Sequence, residues 1–437
     1  MIKTSELKRL LFIGNLSIFM IGLGFAVRTS ISSDLQKEVY DVLDLASSAT
    51  LLGSALSYTF MGFALTLLFG SALVDWIGAK RMLLLSACGY ILGSILIFVG
   101  STMEPSNTVH LFILSGLMLT GLGWGAVEAA SNPMVAALDP ENKVHRLNVL
   151  HAWWPAGIVV GGLCGLAFHK FQIPWQVNLA VLITPSLLMA FLVMRSEFPV
   201  TERVAMGASY SDMFKELVKR PMFWVFWACM WLTTTSELAP GQWVEVTLTN
   251  IIGMSGIVIL VYVSMLMFVM RHFAGHLAHY VSSVGVLFVS CLFAAMGLYL
   301  LSIANSPITA FLAATIWAIG VCYMWPTMVA TVSERFPRGG ALIMGLMGFG
   351  GGMAIYFALP VMGKIYDTAK QEAAGGVDAL KTLSGPELIE VTRLASIESF
   401  QSVAIIPLLL LPVFGAIWLF DRSRKNAEKQ AAEQPQL

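Results

Sequence analysis

Glu128-Ala129-Ala130-Ser131-Asn132-Pro133 lies within an apolar run that extends from about residue 109 to residue 138. An ionised carboxylate at the centre of a membrane helix costs roughly 2.5–3.5 kcal/mol on insertion scales, so such residues face a cavity or a partner. Asn132 follows Glu128 by four residues and Trp124 precedes it by four, which places all three on one helix face. That stripe offers a ring to stack on, a group that can carry a proton, and an amide that both donates and accepts. The plainer alternative is a polar packing residue satisfied by a neighbouring helix.

The rest of the chain sets this helix among others of its kind. Of 437 residues, 57% are hydrophobic and only 12% charged, and the mean hydropathy is +0.77. Water-soluble domains do not need so much apolar surface. Apolar runs long enough to cross a bilayer recur at about 10–33, 50–74, 82–101, 109–138, 149–169, 176–194, 222–247, 253–278, 282–302, 308–334, 339–366 and 399–420. The expected fold is therefore an all-α membrane protein of twelve transmembrane helices. The first run is too long for a signal peptide and reads as the first span. All five cysteines fall inside spans, which argues for free thiols and against a disulfide framework.

Lys and Arg orient the spans. With the N-terminus in the cytoplasm, nineteen of the 26 basic residues fall on the cytoplasmic side and six on the other, leaving Arg28 inside the first span. This bias predicts that both termini are cytoplasmic, and the expected location is the cell inner membrane. The formal net charge is zero, and no basic cluster points to nucleic acid. The polar stretch 195–221 reads as a cytoplasmic linker. It divides an N-terminal six-helix bundle, 1–194, from a C-terminal one, 222–420, with a polar tail at 421–437. Two six-helix bundles around a midplane cavity are the arrangement of carriers with repeated halves. A monomer is expected.

The loop Ser71-Ala-Leu-Val-Asp75-Trp-Ile-Gly78-Ala-Lys80-Arg81 resembles the Gly-x-Leu-Ala-Asp-Arg-x-Gly-Arg-Arg signature of the major facilitator superfamily. A degraded second copy runs from Gly275 to His279, with His279 in place of the Asp. The resemblance implies a cytoplasmic gate at Asp75, Lys80 and Arg81, to which Arg146 is added. The match sharpens at Glu128, Asn132 and Pro133, followed by Arg146-Leu147-Asn148 and His151. Those positions resemble the fucose–proton symporter family, whose helix reads Glu-Thr-Ala-Ala-Asn-Pro and whose next helix opens with Arg-Leu-Asn-x-x-Gln. It implies proton coupling at Glu128 and a sugar-facing role for His151, which replaces the Gln. Cys322-Tyr323-Met324-Trp325-Pro326 and Gly350-Gly351-Gly352 extend the likeness, with Tyr323 and Trp325 as cavity candidates.

Other residues are read from their own chemistry. Arg28 sits where that family has an Asn/Asp-rich cluster. It can pair with Glu128 or Glu237, or meet an anionic substrate. Glu237-Leu-Ala-Pro240-Gly241-Gln242-Trp243 combines a helix-weakening Pro-Gly pair with a carboxylate, an amide and an indole. Such lining suits sugars, so Gln242 and Trp243 join the expected binding set and Glu237 the expected proton-coupling set. Gly157, Gly161 and Gly165 form a small-residue seam for close packing. Trp224 and Trp227 read as interfacial belt residues. His272, His276 and His279 lack acidic or cysteine partners, and no metal or cofactor is expected.

No nucleophile–base pair or metal motif appears inside a span, so an enzyme is not expected. The function that these residues imply is proton-coupled symport of a sugar or sugar derivative by alternating access. The alternatives are a proton-coupled antiporter and a carrier of another small, anionic solute.

Overall fold

A computed structural model describes residues 4–138, 143–199, 211, 217–273, 281–336 and 340–433 of the chain. Among them there is no strand, and helices occupy nearly everything. A bilayer dictates this, because each backbone N–H and C=O within it must find a partner inside its own segment. The first six spans are α1 (Thr4–Leu35), α2 (Ser48–Ile77), α3 (Ala79–Ser101), α4 (Asn107–Leu138), α5 (Lys143–Lys170) and α6 (Ile183–Met194), the last preceded by a 3₁₀ segment, Trp175–Leu182. The second six begin with α7 (Pro221–Ile252), α8 (Gly256–Arg271) and α9 (Ser283–Ser302). Then come α10 in two pieces (Pro307–Val321 and Met324–Arg335), α11 (Gly340–Ala374) and α12 in two pieces (Gly385–Ala404 and Ile406–Glu433).

Ten helical stretches among the described residues are long and apolar enough to cross a membrane. The remaining two are informative exceptions. Helix α8 is apolar but has only 16 residues, and α7 has the length but is interrupted by a polar centre from Thr233 to Glu237. Turn chemistry sets several boundaries. Gly78, between α2 and α3, has φ +86°, a conformation that other residues rarely adopt, which accounts for the glycine of the superfamily-like loop. Ser306 and Thr309 form a reciprocal capping box at the start of α10. Helix α12 continues through residues read as a polar tail, to Glu433. Part of the expected linker, at 200–210 and 212–216, lies outside the described residues, as do His276 and His279.

Large apolar side chains such as Leu92, Leu188, Leu312 and Leu408 point outward, as a lipid-facing surface requires. Inside, small residues bring backbones together. A Cβ built on Gly157 would lie 2.0 Å from the Phe19 carbonyl oxygen, and one on Gly165 would lie 2.4 Å from Ser30 Oγ. The expected glycine seam is thus the contact between α5 and α1. The two halves meet chiefly along two helix pairs, α2 with α11 and α5 with α8, with a smaller contact between α1 and α7.

At the end of the bundle away from the termini, α2 and α11 are closed on each other. Asp367 of α11 accepts from the first-turn amides of α2, Ala49 N at 3.2 Å and Thr50 N at 2.7 Å, and from Thr50 Oγ1 at 2.6 Å. A carboxylate on those orphan N–H groups is favourable both as a cap and against the helix dipole. Gln371 adds a 2.7 Å bond to the Ala46 carbonyl. At the terminal end a cleft stands between the halves.

Candidate functional site

The lining of the cleft includes Ser71, Glu128, Asn132, His151, Trp325 and Met344. Both halves contribute. Asn132 Nδ2 donates to Glu128 Oε2 at 2.7 Å, and His151 Nε2 lies 3.1 Å from Asn132 Oδ1. The four-residue spacing read in the sequence therefore becomes a side-chain bond within α4, and α5 adds the imidazole. Glu128 forms no ion pair among the described residues; its one side-chain donor there is an amide.

One helical turn deeper, Trp124 packs against Phe63 with ring centroids 4.5 Å apart and edge-on to Phe60 at 5.3 Å. The Arg28 guanidinium lies 5.6 Å from the Trp124 ring centre and 5.9 Å from that of Phe25. Arg28 is 3% exposed. Neither expected carboxylate partner is in place: Arg28 Nε donates to Gln242 Oε1 at 3.2 Å instead. Gln242 is otherwise occupied, its amide donating to the Phe25 carbonyl and to Thr29 Oγ1 at 3.1 and 2.5 Å. This knot ties α1 to α7. Trp243, its neighbour, is fully buried and away from the cleft lining.

Glu237 has a different partner from the one anticipated. Arg271, at the end of α8, lies 3.3 Å from Glu237 Oε1. Its Nε donates to the Cys322 carbonyl at 3.0 Å and its Nη1 to the His151 carbonyl at 3.2 Å. Sequence reasoning counted Arg271 among the cytoplasmic loop charges and took Arg28 as the one basic residue deep in a span. The structure corrects this, because Arg271 is only 5% exposed. A short helix places its terminal residue within the bundle, where a count of loop charges does not look. Glu237 Oε2 also accepts from Trp325 N at 3.2 Å. It thus caps the second piece of α10, where the helix breaks at Cys322–Tyr323.

The remaining candidates scatter. Tyr323 donates its hydroxyl to the Met270 carbonyl at 3.0 Å and braces α8. Trp227, read as a belt residue, donates to the Leu346 carbonyl at 2.9 Å and so holds α11. Lys80 bonds the carbonyls of Met194 and Ser196 at 2.9 and 3.1 Å, staying within its own half. Asp75 and Arg146 are both engaged, and Arg81 is exposed. One residue was missed altogether. Tyr90 on α3 is buried beside Arg28, and its hydroxyl has no partner among the described residues. A signal existed: Ser86, Tyr90 and Ser94 recur every four residues along an otherwise apolar helix.

Twelve helices in two packed halves, with a polar cleft between them, invite comparison with known carriers. A sequence profile of the Major Facilitator Superfamily matches residues 10–372. The chain belongs to the Major Facilitator Superfamily. Its described helices make it a multi-pass membrane protein of that superfamily. It is 30% identical over 153 residues to monosaccharide-sensing protein 2 of Arabidopsis thaliana, and 25% identical over 230 residues to myo-inositol transporter 1 of Saccharomyces cerevisiae. These alignments cover 34% and 48% of this chain, and 20% and 36% of those proteins, so the chain spans only a minor part of either relative. Among solved structures, the partially occluded inward-open xylose transporter XylE of E. coli superposes with a TM-score of 0.72 at 14% identity, covering 94% of this chain and 98% of that one. The E. coli fucose:proton symporter FucP superposes with a TM-score of 0.56 at 17% identity, covering 91% and 98%. These two likenesses establish the fold.

Proposed function

We propose that the protein is a proton-coupled symporter that carries a sugar or sugar derivative by alternating access, described here with its cleft open to the cytoplasm. The observation that carries the reading is Glu128: a carboxylate at the cleft, bonded to Asn132 and through it to His151, without an ion pair among the described residues. Water favours the charged form of any carboxylate and its exclusion the neutral form, so a carboxylate that faces a cleft which opens and closes is suited to coupling. Transport stroke and proton affinity are thereby linked, which is what coupling requires. Trp325 offers a ring face, and Asn132 and His151 offer donors and acceptors, as a polyhydroxylated cargo needs.

Support for the cargo class comes from the myo-inositol transporter and the xylose and fucose symporters among the similar proteins. The lysine and arginine bias supports cytoplasmic termini in an inner membrane, with the chain acting as a monomer. Closing of the cytoplasmic side is assigned to Asp75, Lys80, Arg81 and Arg146, as the superfamily-like loop implies.

Glu128→Gln tests the reading, because the amide mimics the protonated acid. In proteoliposomes this variant is expected to retain counterflow of labelled sugar while losing accumulation driven by a proton gradient. Accumulation at the wild-type level would remove Glu128 from coupling.

A further inference from the structure

The site beside Arg28 is short of an acceptor, and the geometry points to the missing group: a carboxylate on the cargo, so that the substrate is a monoanionic sugar acid seated on Arg28 between Tyr90 and Trp124. The inference rests on the carrier reading above and narrows its substrate class.

Three buried polar atoms at this place have no hydrogen-bond partner among the described residues: Arg28 Nη2, Trp124 Nε1 and the Tyr90 hydroxyl. They belong to three helices, α1, α4 and α3, and all three side chains are buried. Their proximity follows from two glycines. A Cβ built on Gly24 would lie 3.2 Å from Tyr90 Cε1 and 3.4 Å from Arg28 Nη1, so ring and guanidinium both close on the same glycine. A Cβ on Gly123, next to Trp124, would lie 3.3 Å from Tyr90 Cδ2. The guanidinium stands over the Trp124 ring at 5.6 Å.

Buried polar groups without partners are rare, and an uncompensated buried charge costs several kcal/mol in general. Gln242 gives its carbonyl oxygen to Arg28 Nε and its amide to Phe25 and Thr29, and Glu128 turns one oxygen to Asn132 and makes no ion pair with Arg28 among the described residues. The guanidinium and the indole can only donate, while the hydroxyl can do either. A ligand that matches them must accept repeatedly and carry negative charge. A carboxylate does both, and arginine forks onto it with two parallel bonds. One cation matches one negative charge, which favours a carboxylate over a phosphate ester carrying close to two. Hydroxyls of a neutral sugar would satisfy the donors and leave the charge uncompensated.

The test compares sugar acids (D-gluconate, D-galactonate, D-glucuronate) with neutral probes (D-xylose, L-fucose, myo-inositol) in counterflow by the full-length chain in proteoliposomes. At least one acid is expected to exchange, with affinity reduced about a hundredfold or more in Arg28→Gln and about tenfold in Tyr90→Phe and Trp124→Phe. Arg28→Lys keeps the charge and is expected to fall between wild type and Arg28→Gln, which separates a lost site from a misfolded protein. Exchange of a neutral probe with none of any acid would overturn the inference and leave the carrier reading intact. Equal affinity for the acid in wild type, Arg28→Gln and Tyr90→Phe would also overturn it. Exchange of no probe of either kind would remove the sugar-carrier reading together with the inference.

Discussion

Two arginines are buried in the bundle within reach of the same cleft, and they are held in opposite ways. Each nitrogen of Arg271 has an acceptor: a carboxylate and two backbone carbonyls, drawn from both halves. Arg28 has one amide oxygen, two aromatic faces and an idle Nη2. A satisfied buried charge holds structure together, and removing its partner is expensive. An unsatisfied one carries a cost in the resting protein that a ligand can relieve. The difference teaches which arginine belongs to the frame and which to the cargo.

The largest expected effect separates them directly. Arg271→Met strands Glu237 without its counter-charge and is expected to lower stability by about 3–5 kcal/mol, read as a fall in the melting temperature of the detergent-solubilised protein. Adding Glu237→Gln should return part of that loss, because the stranded charge is then gone. If Arg28→Met proves as damaging as Arg271→Met, the contrast drawn here is broken.

A second, smaller effect concerns the closed end. Asp367→Ala removes three acceptor contacts at the start of α2 and is expected to cost about 1–2 kcal/mol of closure. Spin labels at the exposed positions Val42 and Glu372 should then report a greater share of long distances; an unchanged distribution would show that Asp367 does not hold this end shut. Smaller still, Arg28→Met without substrate should stay within about 1 kcal/mol of wild type, because it removes an uncompensated charge as well as a bond to Gln242. A melting curve of the ligand-free variant checks this. Least of all, Lys80→Ala loses two bonds to carbonyls within one half and should shift the melting free energy by no more than about 1 kcal/mol. A larger drop would mean that Lys80 acts across the halves as well.

What the sequence revealed follows the range of the interaction involved. Span number and order were legible because the bilayer forces each segment to be apolar and self-bonded. Glu128 with Asn132 was legible because i and i+4 on a helix are neighbours whatever else the chain does. His151 came from a resemblance, and the structure places it against Asn132. Pairings between helices were not legible. Glu237 meets Arg271 across 34 residues of chain, and Arg28 meets Gln242 across 214; no local pattern encodes either. Tyr90 lay between, since its four-residue stripe was visible but its neighbour Arg28 was not.

The contact between α2 and α11 has a kinetic consequence. Where these helices touch, glycine faces carbonyl: a Cβ on Gly53 would lie 2.4 Å from the Leu359 oxygen, and one on Gly363 would lie 2.3 Å from the Ala49 oxygen. Ordering a long side chain costs up to about 2 kcal/mol, and glycine has none to order. Each time such a seam parts and rejoins, few rotamers are released and few must be recaptured. In the carrier cycle proposed above, glycine contacts of this kind add little entropy to the barrier for parting α2 from α11.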